Sequence, residues 1–163
     1  MSELRAERPA DIAGIRAVHT AAFDTPLEAG LVDALRDSGA AFLSVVAVTD
    51  DRVVAHALLS RIVLATAAGD VPALALGPVA VLPAFQKQGY GSAVIREALA
   101  HRDDQLVIVL GDPAYYGRFG FEPGARHGVT GAWSSFGDAW QVLPPSTGVT
   151  PGEALYPRPW TDL

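Results

Sequence analysis

Val79-Ala80-Val81-Leu82-Pro83-Ala84-Phe85-Gln86-Lys87-Gln88-Gly89-Tyr90-Gly91-Ser92 is the stretch on which the reading of this chain turns. An apolar segment ends at Pro83, a short loop holds two glycines, and a helix-forming run follows. Backbone N–H groups in the first turn of a helix have no partner inside the helix, and the helix dipole favours negative charge there. Gly89 and Gly91 let the backbone approach an anion without side-chain obstruction. Lys87, the only lysine in the chain, adds a positive charge. These features suit a phosphate or pyrophosphate group. A Walker loop needs a Gly-Lys pair, which the chain lacks, and a dinucleotide fingerprint needs a third glycine where Val94 stands.

The flanks of this loop predict the rest of the fold. Ala73 to Val81 reads as a strand buried on both faces, and Pro78 inside it removes a ladder donor, predicting a bulge or a parting from the neighbouring strand. Gly89 to His101 predicts a helix with Val94, Ile95, Ala98 and Leu99 on one face, and Leu106 to Leu110 a further buried strand. Upstream, Ile12, Ile15, Val18, Ala22 and Phe23 lie near helical spacing behind Asp11, which predicts a first helix capped by that residue. A second helix runs from Pro26 to Arg36 with Gly39 beyond its end. Phe42–Val48 and Val53–Leu64 read as strands joined at Asp50-Asp51. A helical turn at Tyr115–Phe119 and a strand starting at Phe121 complete the pattern. Helices, antiparallel strands, then strand–helix–strand indicate an α/β or α+β fold with a mixed sheet. Pro144, Pro145, Pro151, Pro157 and Pro159 predict an extended tail on the surface, so the expected division is a domain over 3–144 and a tail over 145–163.

Composition narrows the function. At 163 residues the chain has the size of one domain, and 50% hydrophobic with 18% charged residues excludes intrinsic disorder. The net charge of −6, without a basic stripe, argues against nucleic-acid and anionic-membrane partners. The absence of cysteine excludes disulfides, thiolate metal sites and Cys nucleophiles. Met1 to Arg5 opens no signal-peptide stretch, and the uncharged run Val71–Phe85 is short of the ~18 residues of a membrane span and contains Pro72, Pro78 and Pro83, so a soluble cytoplasmic protein is expected. His19, His56, His101 and His127 lack metal-site spacing, so no metal is expected. Trp133, Trp140 and Trp160 read as aromatics that finish the core or cover the tail rather than line a pocket.

Two motifs carry a family resemblance. Gln86-x-x-Gly89-x-Gly91 after a strand resembles the coenzyme A loop of the GNAT acetyltransferases. Tyr116, followed four and five residues later by Gly120 and Phe121, resembles the family's second signature. The motifs stand in the family's order, one helix and one strand apart. The resemblance covers about residues 3–144 and is strongest, around Val54–His56, Leu76–Val81 and Leu110–Pro113, to a branch of small bacterial N-acetyltransferases. Where the family commonly carries Asn before the Tyr, this chain has no Asn at all, and Asp112 is the nearest polar residue.

The resemblance implies a mostly antiparallel central sheet flanked by helices and transfer of an acetyl group from acetyl-coenzyme A to an amine by direct attack. No Gly-x-Ser-x-Gly elbow for an acyl-enzyme is present. It implies that the strand at Val79, Ala80 and Val81 pairs with the pantetheine amides, with a strand N–H near Val79 polarising the thioester carbonyl. Amides from Lys87, Gln88, Gly89, Tyr90, Gly91 and Ser92 would hold the pyrophosphate. Tyr116 is the expected general acid, with Tyr115 a competitor one residue out of register. For the general base Glu28, His56 and a water chain stay open. The acceptor is a small-molecule or peptide amine, and the protein a monomer or homodimer. Two other readings remain: a non-catalytic acyl-coenzyme A-binding module on the same fold, and a nucleotide-binding protein preferring NAD or ATP.

Overall fold

The β-branched run at Phe42 forms β2 (Ala41–Thr49), and Asp50 and Asp51, with φ values of 51° and 61°, turn it into β3 (Arg52–Thr66). Aspartate tolerates that left-handed geometry better than most side chains. β3 folds back through a turn braced by the Thr66 hydroxyl, which donates to the Gly69 carbonyl at 2.6 Å, into β4 (Gly69–Val81). The computed structural model describes residues 2–163. The other elements are β1 (Ser2–Ala6), α1 (Ile12–Phe23), α2 (Leu27–Asp37), α3 (Tyr90–Ala100), β5 (Leu106–Leu110), α4 (Pro113–Tyr116), β6 (Glu122–Pro123), β7 (Val129–Thr130), β8 (Trp140–Leu143), β9 (Gly152–Leu155) and α5 (Arg158–Thr161).

The chain divides into two units. The first takes the stretch up to Ser60, Gly77–His101 and Pro159–Leu163. In it β1 and β3 both pair antiparallel with β2, in a register that sets Val46 opposite His56. The Leu82 N–H donates to the Val54 carbonyl at 2.8 Å, tying the end of β4 to β3. α1 and α2 pack as a pair, and α3 packs on β1 and β2. Their periodic apolar residues face inward: Ile15 and Val18 from α1, Leu31, Val32 and Leu35 from α2, Val94 and Ile95 from α3 are all buried. Each such side chain contributes ~1.5–3 kcal/mol on burial.

The second unit takes Arg61–Leu76 and Arg102–Arg158. β4 runs parallel to β5 from Ala73↔Leu106 to Ala75↔Ile108, and this register stops three residues before Pro78. β8 pairs antiparallel with β5 and β6. β9 lies antiparallel to β3 and parallel to β7. The fold is thus mixed α/β with mostly antiparallel strands. Trp140 is fully buried in this unit, and its Nε1–H donates to the Val129 carbonyl at 3.0 Å.

Four strands escape the sequence pattern: β1, β7, β8 and β9. β1 is largely exposed and polar, so no alternation marks it. β9 lies in the segment expected as an extended tail, which also carries α5. Asp11 stands at the N-cap of α1, but its carboxylate makes no cap bond to that helix. It accepts from the Arg8 N–H at 2.7 Å and from Arg5 at 2.6 Å, and the Arg5 guanidinium holds the carboxyl below its usual range. No described helix is long and apolar enough to cross a membrane.

Candidate active site

The loop between β4 and α3 is braced from within. Pro83–Phe85 form a 3-10 turn, the Gln86 side-chain amide donates to the Val81 carbonyl at 3.1 Å, and that of Gln88 to the Ala84 carbonyl at 3.2 Å. Lys87 and Gly89 take left-handed conformations, with φ values of 61° and 90°. Such turns bring successive N–H groups to one side and form anion-binding concavities. Gly89 is the N-cap of α3, and the Ala93 N–H, bonded to the Gly89 carbonyl at 3.0 Å, is the first donor closed within the helix. By helix geometry the amides of the preceding turn have no intrahelical acceptor. A Cβ built at Gly89 meets nothing within 4 Å, so its φ, not crowding, asks for glycine. Lys87, Gln88 and Gly89 are exposed.

Tyr90, expected to serve through its backbone amide, has a side chain with a task of its own. Its hydroxyl lies 3.2 Å from Ser2 Oγ and 3.3 Å from Thr49 Oγ1, and its ring packs edge-on against Phe85, pinning the start of α3 to β1 and β2. Only its backbone faces the anion question. Arg52, which the sequence reading passed over, sets its guanidinium 5.9 Å from the Phe85 ring and brings a second cation to the loop's foundation. Nothing in the pattern around Arg52 marks it, because only the β2–β3 turn carries it there.

In β4, Val79 and Val81 are half-buried while Ala80 is buried. The Gly77–Pro78 peptide is cis, and Pro78 offers no N–H. Trp160 lies against this point. Its ring is 3.4 Å from where a Gly77 Cβ would stand, and its Nε1–H donates to Ser60 Oγ at 3.1 Å.

In the second unit, Asp112 caps α4, its carboxylate accepting from the Ala114 N–H at 2.9 Å. That bond occupies the residue nearest the family's missing Asn. Tyr116 closes α4 among aromatic rings: Tyr115 at 5.1 Å, Phe121 at 5.9 Å and Phe119 at 6.2 Å. A side chain at Gly111 would collide with the Tyr116 ring, which explains glycine there. The Tyr116 hydroxyl has no hydrogen-bond partner among the described residues, and burial makes the phenol a weaker acid, its pKa pushed up to about 12. It therefore stays protonated at neutral pH. A hollow of about 420 Å³ in this unit, bounded by Pro72, Asp104 and Thr150, includes neither Tyr116 nor a loop residue.

The base candidates differ in setting. Glu28, in the first turn of α2, is half-buried, and its Oε2 is sealed from solvent without a hydrogen-bond partner. His56 is fully buried on β3, with Nδ1 2.7 Å from His19 Nε2 and Nε2 2.7 Å from Ser44 Oγ. Burial holds both imidazoles below their ordinary range, His19 at about 4. His101 pairs with Glu97 and His127 with Glu122. Among the described residues no group of three or more His, Cys, Asp or Glu is placed to hold a metal ion.

Comparison with known proteins supplies the context. A family model described as an acetyltransferase (GNAT) domain matches residues 3–124. The N-acetyltransferase YhbS of Escherichia coli K12 is 33% identical over 143 residues, covering 85% of this chain and 84% of that protein. The crystal structure of YhbS from Escherichia coli in complex with CoA superposes with a TM-score of 0.88 at 31% identity, covering 98% of this chain and 92% of that one. A GNAT family acetyltransferase from Brucella melitensis, solved in complex with acetyl-CoA, gives a TM-score of 0.82 at 33% identity over 98% of both chains.

Proposed function

The chain belongs to the GNAT acetyltransferase family, and from that premise we propose that it transfers an acetyl group from acetyl-CoA to an amine by direct attack, without an acyl-enzyme. The observation that carries the reading is the loop before α3, where left-handed Lys87 and Gly89 precede a helix start. A pyrophosphate fits there because it would meet backbone donors and a positive dipole end with no side chain in the way. Lys87, Gln88, Gly89, Tyr90, Gly91 and Ser92 hold it through their backbone, with Lys87 adding charge. The backbone of Val79, Ala80 and Val81 takes the pantetheine arm, and the Val79 N–H polarises the carbonyl under attack.

Tyr116 protonates the departing thiolate. An unpartnered phenol in apolar surroundings is supported for that role on two grounds. It carries its proton at any physiological pH, and no protein acceptor competes for it. Both tyrosines of the pair were open to the role, but Tyr115 lies under the Arg118 guanidinium, 4.4 Å from its ring, whereas Tyr116 keeps the family spacing to Gly120 and Phe121.

Calorimetric titration of the purified protein with acetyl-CoA, CoA, ATP and NAD tests this. The expected result is micromolar binding of both CoA forms in preference to ATP and NAD, followed by amine-dependent thiol release across an amine panel. Failure to bind CoA overturns the reading. CoA binding without turnover of any amine leaves the binding-module reading in its place.

A further inference from the structure

Two of the three tryptophans are accounted for within the second unit. Trp133 packs edge-on against Tyr156 at 4.8 Å, and Trp140 is fully buried with its N–H bonded to Val129. Trp160 has a different setting. It lies in the first unit, on the short α5, and is half-buried. Its indole touches two strands at once. The Nε1–H donates to Ser60 Oγ of β3 at 3.1 Å, and the benzo edge of the ring stands 3.4 Å from where a Cβ of Gly77 in β4 would project. Ser60 has no exposed surface, so the bond ties the indole to a fixed point. Pro159, directly before Trp160, has a φ set by its own ring, which stiffens the approach.

Gly77 takes a φ of 137°, a conformation that side chains rarely adopt, so β4 carries glycine at this point and has no side chain of its own to cover the strand. The indole fills that room instead, at an ordinary van der Waals distance. Its side of the sheet follows from β3. His56 and Ser60 stand four residues apart in that strand and therefore share a face, and His56 meets His19 of α1 at 2.7 Å. Trp160 thus covers β4 on the α1 side. Strand geometry sets Gly77 about 7 Å from Val79 along β4.

We propose, resting on the acetyl-transfer reading above, that Trp160 is a specificity-determining residue that closes the acyl end of the coenzyme site and restricts the acyl group to short chains. The direction follows from the order of contacts along the chain. With the pyrophosphate on residues 87–92, the pantetheine arm along Val81 to Val79 and the carbonyl at the Val79 N–H, the acyl chain continues toward Gly77. An acetyl methyl ends short of the indole. A longer chain runs into a ring held by a buried hydrogen bond and a stiff backbone. Forcing extra methylenes against well-packed atoms displaces side chains and backbone, and that cost rises with each carbon. CoA without an acyl group never reaches the ring.

The test needs no amine acceptor. Calorimetry measures Kd for CoA, acetyl-CoA, propionyl-CoA, butyryl-CoA and hexanoyl-CoA with the wild-type protein, Trp160→Ala and Trp160→Phe. Wild type is expected to bind butyryl-CoA roughly tenfold or more weakly than acetyl-CoA, and hexanoyl-CoA more weakly still. In Trp160→Ala this penalty should disappear, each added methylene instead improving affinity up to roughly fourfold as it enters the vacated room. Unacylated CoA should bind wild type and Trp160→Ala within about threefold of each other, a split that a merely structural tryptophan would not produce. Trp160→Phe keeps a smaller ring and should move the limit toward butyryl-CoA, which reads the same property if the alanine variant does not fold. A wild-type series that is flat from acetyl to hexanoyl overturns the proposal. So does an unchanged chain-length penalty in the folded variants, or an equal loss for CoA and every acyl-CoA. In each of these cases CoA still binds and the acetyl-transfer reading stands. Failure of the wild type to bind any CoA form overturns that reading, and the Trp160 assignment with it.

Discussion

His19, buried, and Tyr116, half-buried, are both titratable side chains kept neutral at physiological pH, and their surroundings are opposite. His19 sits at the head of a hydrogen-bonded chain that ends on a carboxylate. Tyr116 sits among aromatic rings, its hydroxyl without a hydrogen-bond partner among the described residues. Desolvation disfavours the charged form in each case, which lowers the imidazole to about 4 and raises the phenol to about 12. The same physical effect thus keeps the imidazole without its second proton and the phenol with its only one. What differs is direction. A phenol has a single proton and needs no relay to decide where it is, whereas an imidazole has two nitrogens, and only a network can settle which is bare.

The largest expected effect breaks the Tyr116 side of this comparison. Tyr116→Phe keeps the aromatic packing and removes the proton, so kcat should fall by roughly 10²–10⁴ while acetyl-CoA affinity measured by calorimetry stays nearly unchanged. Unaltered turnover would remove Tyr116 from the chemistry.

The histidine side can be sharpened through stability. Unfolded histidine titrates near 6.5, and His19 when folded at about 4, so between those values the unfolded chain binds more protons than the native one. Stability must then rise with pH across this window and decline as pH is lowered from 6.5 toward 4. His19 alone accounts for about 3 kcal/mol of that decline. Urea midpoints at pH 7, 5.5 and 4.5 should track the loss, with a shallower slope in His56→Gln. Asp11, whose carboxyl lies below its usual range, loses its stabilising charge only below that window. A flat curve would mean that the pair is not neutral when folded.

Smaller effects belong to the coenzyme loop, where no titration is involved. Gly89→Val forces a β-branched residue into a φ of 90°. The strain, about 1–3 kcal/mol, should weaken acetyl-CoA binding by roughly ten- to a hundredfold. Lys87→Ala removes an exposed charge and should cost less than about tenfold, with a reduced dependence on salt. Calorimetry at two ionic strengths checks both variants, and equal losses for the two would mean that charge, not backbone shape, governs the loop.

Much of this was legible beforehand because it is local. The apolar spacing of α1, α2 and α3, the β-branched runs of β2 and β5, the Asp50-Asp51 turn and the glycine at the start of α3 are decided by neighbours a few residues away. Each is dictated by backbone sterics, by a helix that must bury one face or by a turn that needs left-handed φ. β1, β7, β8 and β9 were not legible, because short strands with exposed or mixed faces are strands only by virtue of the partner that bonds to them.

The site and its surroundings divide in the same way. Gln86 to Ser92 and Tyr116 with Gly120 and Phe121 are recognisable as spacing along the chain, and the sequence by itself determined them. His56 was visible only as a histidine on a strand, and His19 only as a residue without metal-site spacing. Glu7, Ser44, Arg36 and Arg52 carried no signal whatever. Tertiary structure alone decided that residues 7, 19, 36, 44 and 56 form one hydrogen-bonded chain. The reason is that such a chain is made of distances and donor directions between separate elements. Those come into being only when α1, α2 and the first strands have closed over a common core and excluded the water that would otherwise have satisfied every one of these groups.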